Sequence, residues 1–162
     1  MLFEYKGILY PEYLKEGNAQ SYISHIVKRF CNGIGLDIGG FGSWCLDNAF
    51  PINITIKDKF DAYNLPNKKY DFIFSSHTLE HLIDPIEALE VWKRHLRDKG
   101  VLFLYLPHPD NEYWKPQWDR KHLHIWYPYE VVDILKSLGF NNIINSERDM
   151  YWSFSVVGYN NK

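Results

Sequence analysis

Three stretches of the chain carry residue types and spacings that could do chemistry. The first is Gly35-Leu-Asp-Ile-Gly-Gly-Phe-Gly-Ser43, in which Asp37 precedes Gly39, Gly40 and Gly42. Glycines there let the backbone take positive φ and come close to a bound ligand. The second is Phe72-Ile-Phe-Ser-Ser-His-Thr-Leu-Glu-His-Leu82, which sets Ser75, Ser76 and His77 after an apolar run and repeats His four residues on, at His81. The third is Pro107 to Trp126, polar and aromatic, with His108, His122 and His124. An imidazole titrates near neutral pH, so His77, His108, His122 and His124 are each a candidate to take a proton. Two of them, in His122-Leu-His124, also offer a metal-ligand spacing, which His108, Asp110 or His81 could complete.

The elements that must position these residues follow from periodicity. Tyr22, Ile23, Ile26, Val27 and Phe30 recur at helical spacing, with Asn18 as cap and Asn32-Gly33 as stop. Ile34–Ile38 reads as a buried strand entering a tight turn, and 43–50 as one short helical turn. Ile52–Ile56 alternates and is β-branched, and 70–76 has the apolar middle of a central parallel strand. Asp84-Pro85 opens a helix whose stripe is Ile86, Leu89, Trp92 and Leu96 and whose end is Lys99-Gly100. A strand at 101–106 follows, then the long loop and a helix from Pro128 to Leu138. That helix turns Val131, Ile134, Leu135 and Leu138 inward. Two strands near 141–146 and 151–158 suit an antiparallel edge. Strands alternating with helices imply an α/β fold, in which ligands bind beyond the carboxyl ends of the strands.

Composition bounds the rest. A chain of 162 residues suits one domain, 1–162, and 46% hydrophobic with 23% charged residues is globular. The aromatic share of 17% predicts a core or pocket of large flat side chains. A net charge of −2 gives no global field for nucleic acid. No apolar run is long enough to cross a bilayer, and the N-terminal residues lack the pattern of a secretory signal. Cys31 and Cys45 are too few for a disulfide framework, so a reducing cytoplasm is expected.

In order along the chain, the acid and glycines of 35–43, the Phe72–Leu82 segment, Phe60-Asp-Ala-Tyr-Asn-Leu-Pro66 and Leu96–Pro107 resemble the class I S-adenosylmethionine-dependent methyltransferases, in their type 11 small-molecule branch. The resemblance implies a Rossmann-like methyltransferase fold: a mostly parallel central sheet with an antiparallel C-terminal edge. It divides the domain into an N-terminal helix at 18–32, a cofactor-binding core at 33–107, a substrate or lid loop at 107–126, and a C-terminal helix and strands at 127–162. It implies S-adenosylmethionine as cofactor and S-adenosylhomocysteine as product. Asp37 would hold the glycine loop or the amino-acid end, Gly39, Gly40 and Gly42 would let the backbone approach the cofactor, Asn53 would meet the ribose, and Asp61 and Ala62 the adenine. Ser75 and Ser76 would line the methyl group, and His77, His108, His122 or His124 would act as base. Glu80 and His81 match a signature whose role in the resembling proteins is structural.

The chain departs from the family pattern in three places. Phe41 stands where a spaced glycine is expected, and Asn53 or Thr55, with Asp58 slightly later, where an acid clamps the ribose. Only about thirty residues separate the glycine turn from Asp71, so the region between the second and third family strands is reduced. The expected partner is a small-molecule acceptor, anionic or sugar-linked, which Lys115, Arg120 and Lys121 could meet. In-line methyl transfer needs no metal, and no Asn- or Asp-Pro-Pro-aromatic motif points to nucleic-acid bases. Trp114, Trp118 and Trp126 offer a surface for a homodimer. Two other readings remain: a non-catalytic binding protein on the same fold, and a metal-dependent hydrolase built on the histidine loop.

Overall fold

The structure, a computed structural model, describes residues 1–15, 20–40, 46–53, 60–115 and 121–161. Its main sheet takes β3 (Gly35–Ile38), β4 (Ala49–Ile52), β5 (Tyr70–Ser76), β6 (Leu96–Pro107), β7 (Asn141–Asn145) and β8 (Ser153–Asn160) in the order β4-β3-β5-β6-β8-β7. The first four run parallel, and β8 is antiparallel to both β6 and β7. This is the expected Rossmann-like architecture with an antiparallel edge. Among the described residues no strand lies outside β4, which is the expected reduction. The described strands before β3 are β1 (Leu2–Tyr5) and β2 (Ile8–Pro11).

Each face of the sheet carries its own core. Leu36, Ile38, Ile73, Leu102, Leu104 and Phe154 point to one side. There α2 (Pro85–His95) buries Ala88, Leu89 and Trp92, and α3 (Pro128–Ser137) buries Val131 and Leu135. On the other side Phe72, Phe74, Phe103 and Tyr105 meet α1 (Gln20–Phe30) through Ile23 and Val27. Side chains alternate across each strand, so one apolar run feeds both layers. Asp84 caps α2 by accepting from Glu87 N at 2.9 Å, with Pro85 at the first turn, as its sequence predicts.

Several details differ from expectation. The second strand is Ala49–Ile52, not 52–56: Pro51 lacks an N–H but is tolerated because β4 is an edge strand. Asp47 and Asn48 form a turn, not a helix; Asn18, 41–45 and 54–59 lie outside the described residues. Helix α2 ends at His95 because Leu96 is extended, fully buried and paired with Tyr70. Lys99, at φ 60°, lies within the irregular start of β6. Ile86, placed in the buried stripe of α2, is exposed, as are Tyr22 and Ile26 of α1.

An N-terminal hairpin, outside the expected elements, is also present. β1 pairs with β2 antiparallel, and Lys6 and Gly7 both take positive φ, 50° and 78°, at its two-residue turn. The hairpin reaches the loop after β6. Tyr10 Oη accepts from Glu112 N at 3.0 Å, and Phe3 and Tyr5 pack edge-on against Tyr113. Just beyond it, Trp114 Nε1 donates to Leu14 O at 3.2 Å.

Candidate functional site

The carboxyl ends of β3, β4 and β5 are tied together by short polar contacts. Gly39 N donates to Ile52 O at 2.7 Å, and Asn53 Nδ2 donates to Gly39 O at 3.1 Å. Ser75 Oγ donates to Ile38 O at 3.0 Å, and Thr78 Oγ1 lies 3.2 Å from the same carbonyl. Gly39 has φ 91°, and a Cβ there would overlap Thr78 Oγ1. Its glycine therefore serves both a left-handed turn and a close approach to Thr78. The Ser75 hydroxyl faces β3 rather than an open pocket.

Asp37 is 4% exposed, and among the described residues its Oδ1 has no hydrogen-bond partner. Its carboxyl group occupies the space a Gly40 Cβ would need. Burial raises its pKa from 3.8 to about 7. Asp61 follows β4 in a tight turn. Its Oδ1 accepts from Tyr63 N at 2.8 Å and Asn64 N at 2.9 Å, while Ala62 is buried and its carbonyl accepts from Trp92 Nε1 at 2.8 Å. Gly42, Phe41, Thr55 and Asp58 lie outside the described residues.

Immediately past β5, His77 takes a left-handed φ of 48°. Its ring sits edge-on to Tyr105 and Trp114, and its Nε2 lies 3.2 Å from Ser153 Oγ. Ser76 beside it is buried. Behind His77 a short 3₁₀ turn, Leu79–His81, drives Glu80 into the interior at 0% exposure. His77 Nδ1, His81 Nε2 and His122 Nε2 stand 3.5, 3.7 and 4.0 Å from Glu80 Oε1. Burial pushes the Glu80 carboxyl up, but His77, His81 and His122 outweigh it and hold it below the ordinary value. Glu80 is thus the centre of the histidine cluster. The spacing could not show this, because His122 arrives from a loop far along the chain.

The four candidate bases occupy three places. His77 and His122 share the Glu80 cluster. His124 is turned elsewhere: its Nε2 meets Leu82 O at 2.8 Å and its ring stacks on Trp126. His108 is buried beside Tyr127 and Phe154, and burial lowers its pKa. It borders an open groove of about 570 Å³ lined by Asp110, Tyr127, Tyr129, Asp133, Lys136 and Glu147 among others. Lys115 is paired with Glu112, Lys121 is exposed, and Arg120 lies outside the described residues. Trp114 is buried within the chain and Trp126 partly so, which weakens the aromatic surface expected for a dimer. Trp118 is outside the described residues.

Residues that the sequence did not single out complete the wall beside His77. Tyr105 Oη donates to Asp149 Oδ2 at 2.6 Å, and Asp149 Oδ1 accepts from Tyr151 N and Ser153 N. Burial and the Asp149 charge raise the Tyr105 pKa, so it stays a neutral donor. Its place near the carboxyl end of β6 was the available signal.

Comparison with known proteins agrees with this fold. A family model described as a methyltransferase domain matches residues 17–160. An S-adenosylmethionine-dependent methyltransferase from Thermotoga maritima superposes with a TM-score of 0.71 at 19% identity, covering 91% of this chain and 92% of that one. Another from Archaeoglobus fulgidus gives 0.64 at 18% identity, covering 92% and 100%. Human N-acetylserotonin methyltransferase in complex with S-adenosylmethionine gives 0.63 at 12% identity, covering 93% of this chain and 53% of that one. No curated protein sequence matches the chain.

Proposed function

The chain belongs to the methyltransferase domain family and is an S-adenosylmethionine-dependent methyltransferase, and from that premise we propose that it methylates a hydroxyl oxygen of a small polar acceptor such as a sugar or a polar surface precursor. The residues at the strand ends fit the cofactor. A buried carboxylate oxygen of Asp37 without a partner among the described residues suits an ammonium group. The Asn53 amide can meet a ribose hydroxyl as a neutral clamp. Asp61 commits Oδ1 to its own turn, which leaves Oδ2 to accept from an adenine amine beside Ala62.

The bound cofactor supplies an electrophilic methyl group for in-line displacement. His77, one residue past β5, holds the acceptor hydroxyl and takes its proton at a ring nitrogen. Tyr105 and Trp114 fix the imidazole plane, and the burial of Trp114 keeps water from that side. The polar groove near His108, with Tyr127 and Tyr129 stacked at 5.7 Å, suits a hydroxyl-rich acceptor lying on an aromatic platform. Two cysteines are too few for a disulfide framework, which suits a reducing cytoplasm.

The observation that carries this reading is the position of His77, beside the Thr78 that packs on Gly39 and edge-on to Tyr105. Its test is transfer of labelled methyl from S-adenosylmethionine to a panel of sugars and nucleotide sugars. The wild type is expected to label a hydroxyl acceptor. His77→Gln should lose about 10²–10⁴-fold in turnover while still binding S-adenosylhomocysteine. Labelling that survives in His77→Gln removes its assigned role, and cofactor binding with no transfer to any acceptor favours the non-catalytic reading.

A further inference from the structure

The contacts around Glu80 are of the kind that one added cation would satisfy. His81 Nδ1 faces Lys121 O at 2.5 Å, and His122 Nδ1 faces Trp114 O. A carbonyl only accepts, so each Nδ1 must carry the ring N–H. In a neutral ring the lone pair then lies on Nε2. Both Nε2 atoms point at the same carboxylate oxygen, at 3.7 and 4.0 Å, and lone pair faces anion. Glu80 gains little elsewhere. Among the described residues neither of its oxygens has a well-formed hydrogen bond, and His77 Nδ1 at 3.5 Å is at the outer limit of one. A fully buried carboxylate without donors is costly.

We propose that Glu80, His81 and His122 bind one divalent transition-metal ion of the zinc type. Their ligand atoms, one from each residue, lie within 4.8 Å of one another. Tetrahedral zinc holds such ligands at about 2.0–2.2 Å, so they stand roughly 3.3 Å apart and need to close by the order of 1 Å. Two imidazoles and a carboxylate form a ligand set that zinc accepts. The backbone carbonyls of Lys121 and Trp114 play the outer part that fixes ring orientation in metal sites. The competing remedy is a proton on each Nε2, which the metal titration below tells apart.

The ion's place in the fold assigns its work. Glu80 and His81 belong to the turn after β5, and His122 to the loop after β6. Leu123 N and His124 N already donate to Glu80 O, at 2.8 and 3.1 Å. An ion there would lock this junction behind His77 and hold the loop against the carboxyl edge. It takes no methyl group and needs no cofactor, so it stands or falls apart from the transfer reaction.

The test uses the whole chain, stripped with a chelator and titrated with cobalt(II) and zinc(II). One ion per chain is expected, with visible absorption of tetrahedral cobalt and a melting temperature raised by zinc. His122→Ala and His81→Gln should each weaken binding at least tenfold and remove the zinc-dependent rise, while exposed His25→Ala keeps both. Circular dichroism of each variant shows that it is folded, and His81→Gln serves if His122→Ala is not. Absence of cobalt absorption at stoichiometric metal overturns the proposal. So does binding that survives in both variants.

Discussion

At the residue scale, two buried carboxylates with opposite shifts organise the site. Asp37 has only burial acting on it, and its pKa rises to about 7. The folded state therefore keeps a proton that the unfolded chain loses above about 4. The stability linked to that proton is complete at low pH and disappears as pH rises through about 7. Asp37→Asn, which cannot ionise, is expected to melt above the wild type at pH 8 and to lose most of that advantage at pH 5, as scanning calorimetry can follow. The same residue should make cofactor affinity rise with pH through neutrality, because the ammonium binds only the ionised carboxylate. A pH-independent affinity in the wild type would remove Asp37 from the ammonium-binding role. Asp37 was legible in the sequence because acid, spacer and glycines lie within six positions. Glu80 was not: its partners His77 and His81 are near, but the third imidazole and the carbonyls that turn it come from the loop. Nothing in Leu79-Glu-His81 separates a core-facing acid from a surface one.

At the element scale, the strand ends are held by side chains that spend themselves on backbone carbonyls. Thr78 and Ser75 both reach Ile38 O, which fixes β5 against β3. Gly39→Ala meets two penalties there, a left-handed backbone and an overlap with Thr78 Oγ1. It should cost about 1–3 kcal/mol or more in denaturant unfolding. Adding Thr78→Ala to it should recover the overlap part alone, a non-additive double-mutant cycle. Strictly additive costs would show that the two residues do not touch. Trp92→Phe leaves the Ala62 carbonyl without its indole donor and should destabilise by about 1–3 kcal/mol, measured the same way. Apolar runs revealed β3, β5 and β6 before any coordinates, since buried parallel strands need them. Boundaries slipped where other forces decide. Pro51 is permitted only by an edge that sequence cannot see, and Leu96 leaves its helix because Tyr70 pairs with it.

At the scale of the whole molecule, the alternation of strands and helices was enough to give the α/β order and the antiparallel end. The N-terminal hairpin is not legible in the sequence, although Lys6-Gly7 sits between alternating residues, because four-residue strands carry little periodicity. Yet this hairpin closes the molecule over the long loop. Tyr10→Phe leaves the Glu112 N–H without its acceptor, and amide exchange at 112–114 is expected to speed up while β5 and β6 stay protected. Unchanged exchange there would mean that the hairpin does not hold the loop. Among the described residues no helix is long and apolar enough to cross a membrane.

The claim beneath all of this is that the carboxyl ends of β3 and β4, with the turn at Asp61, hold one adenosyl amino acid. Calorimetric titration of S-adenosylhomocysteine into the wild type, Asp37→Asn and Asp61→Asn at pH 8 tests it most directly. One site per chain is expected, weakened tenfold or more by either substitution, with both variants still cooperatively folded. No heat at sub-millimolar ligand, or the same affinity in all three proteins, contradicts it.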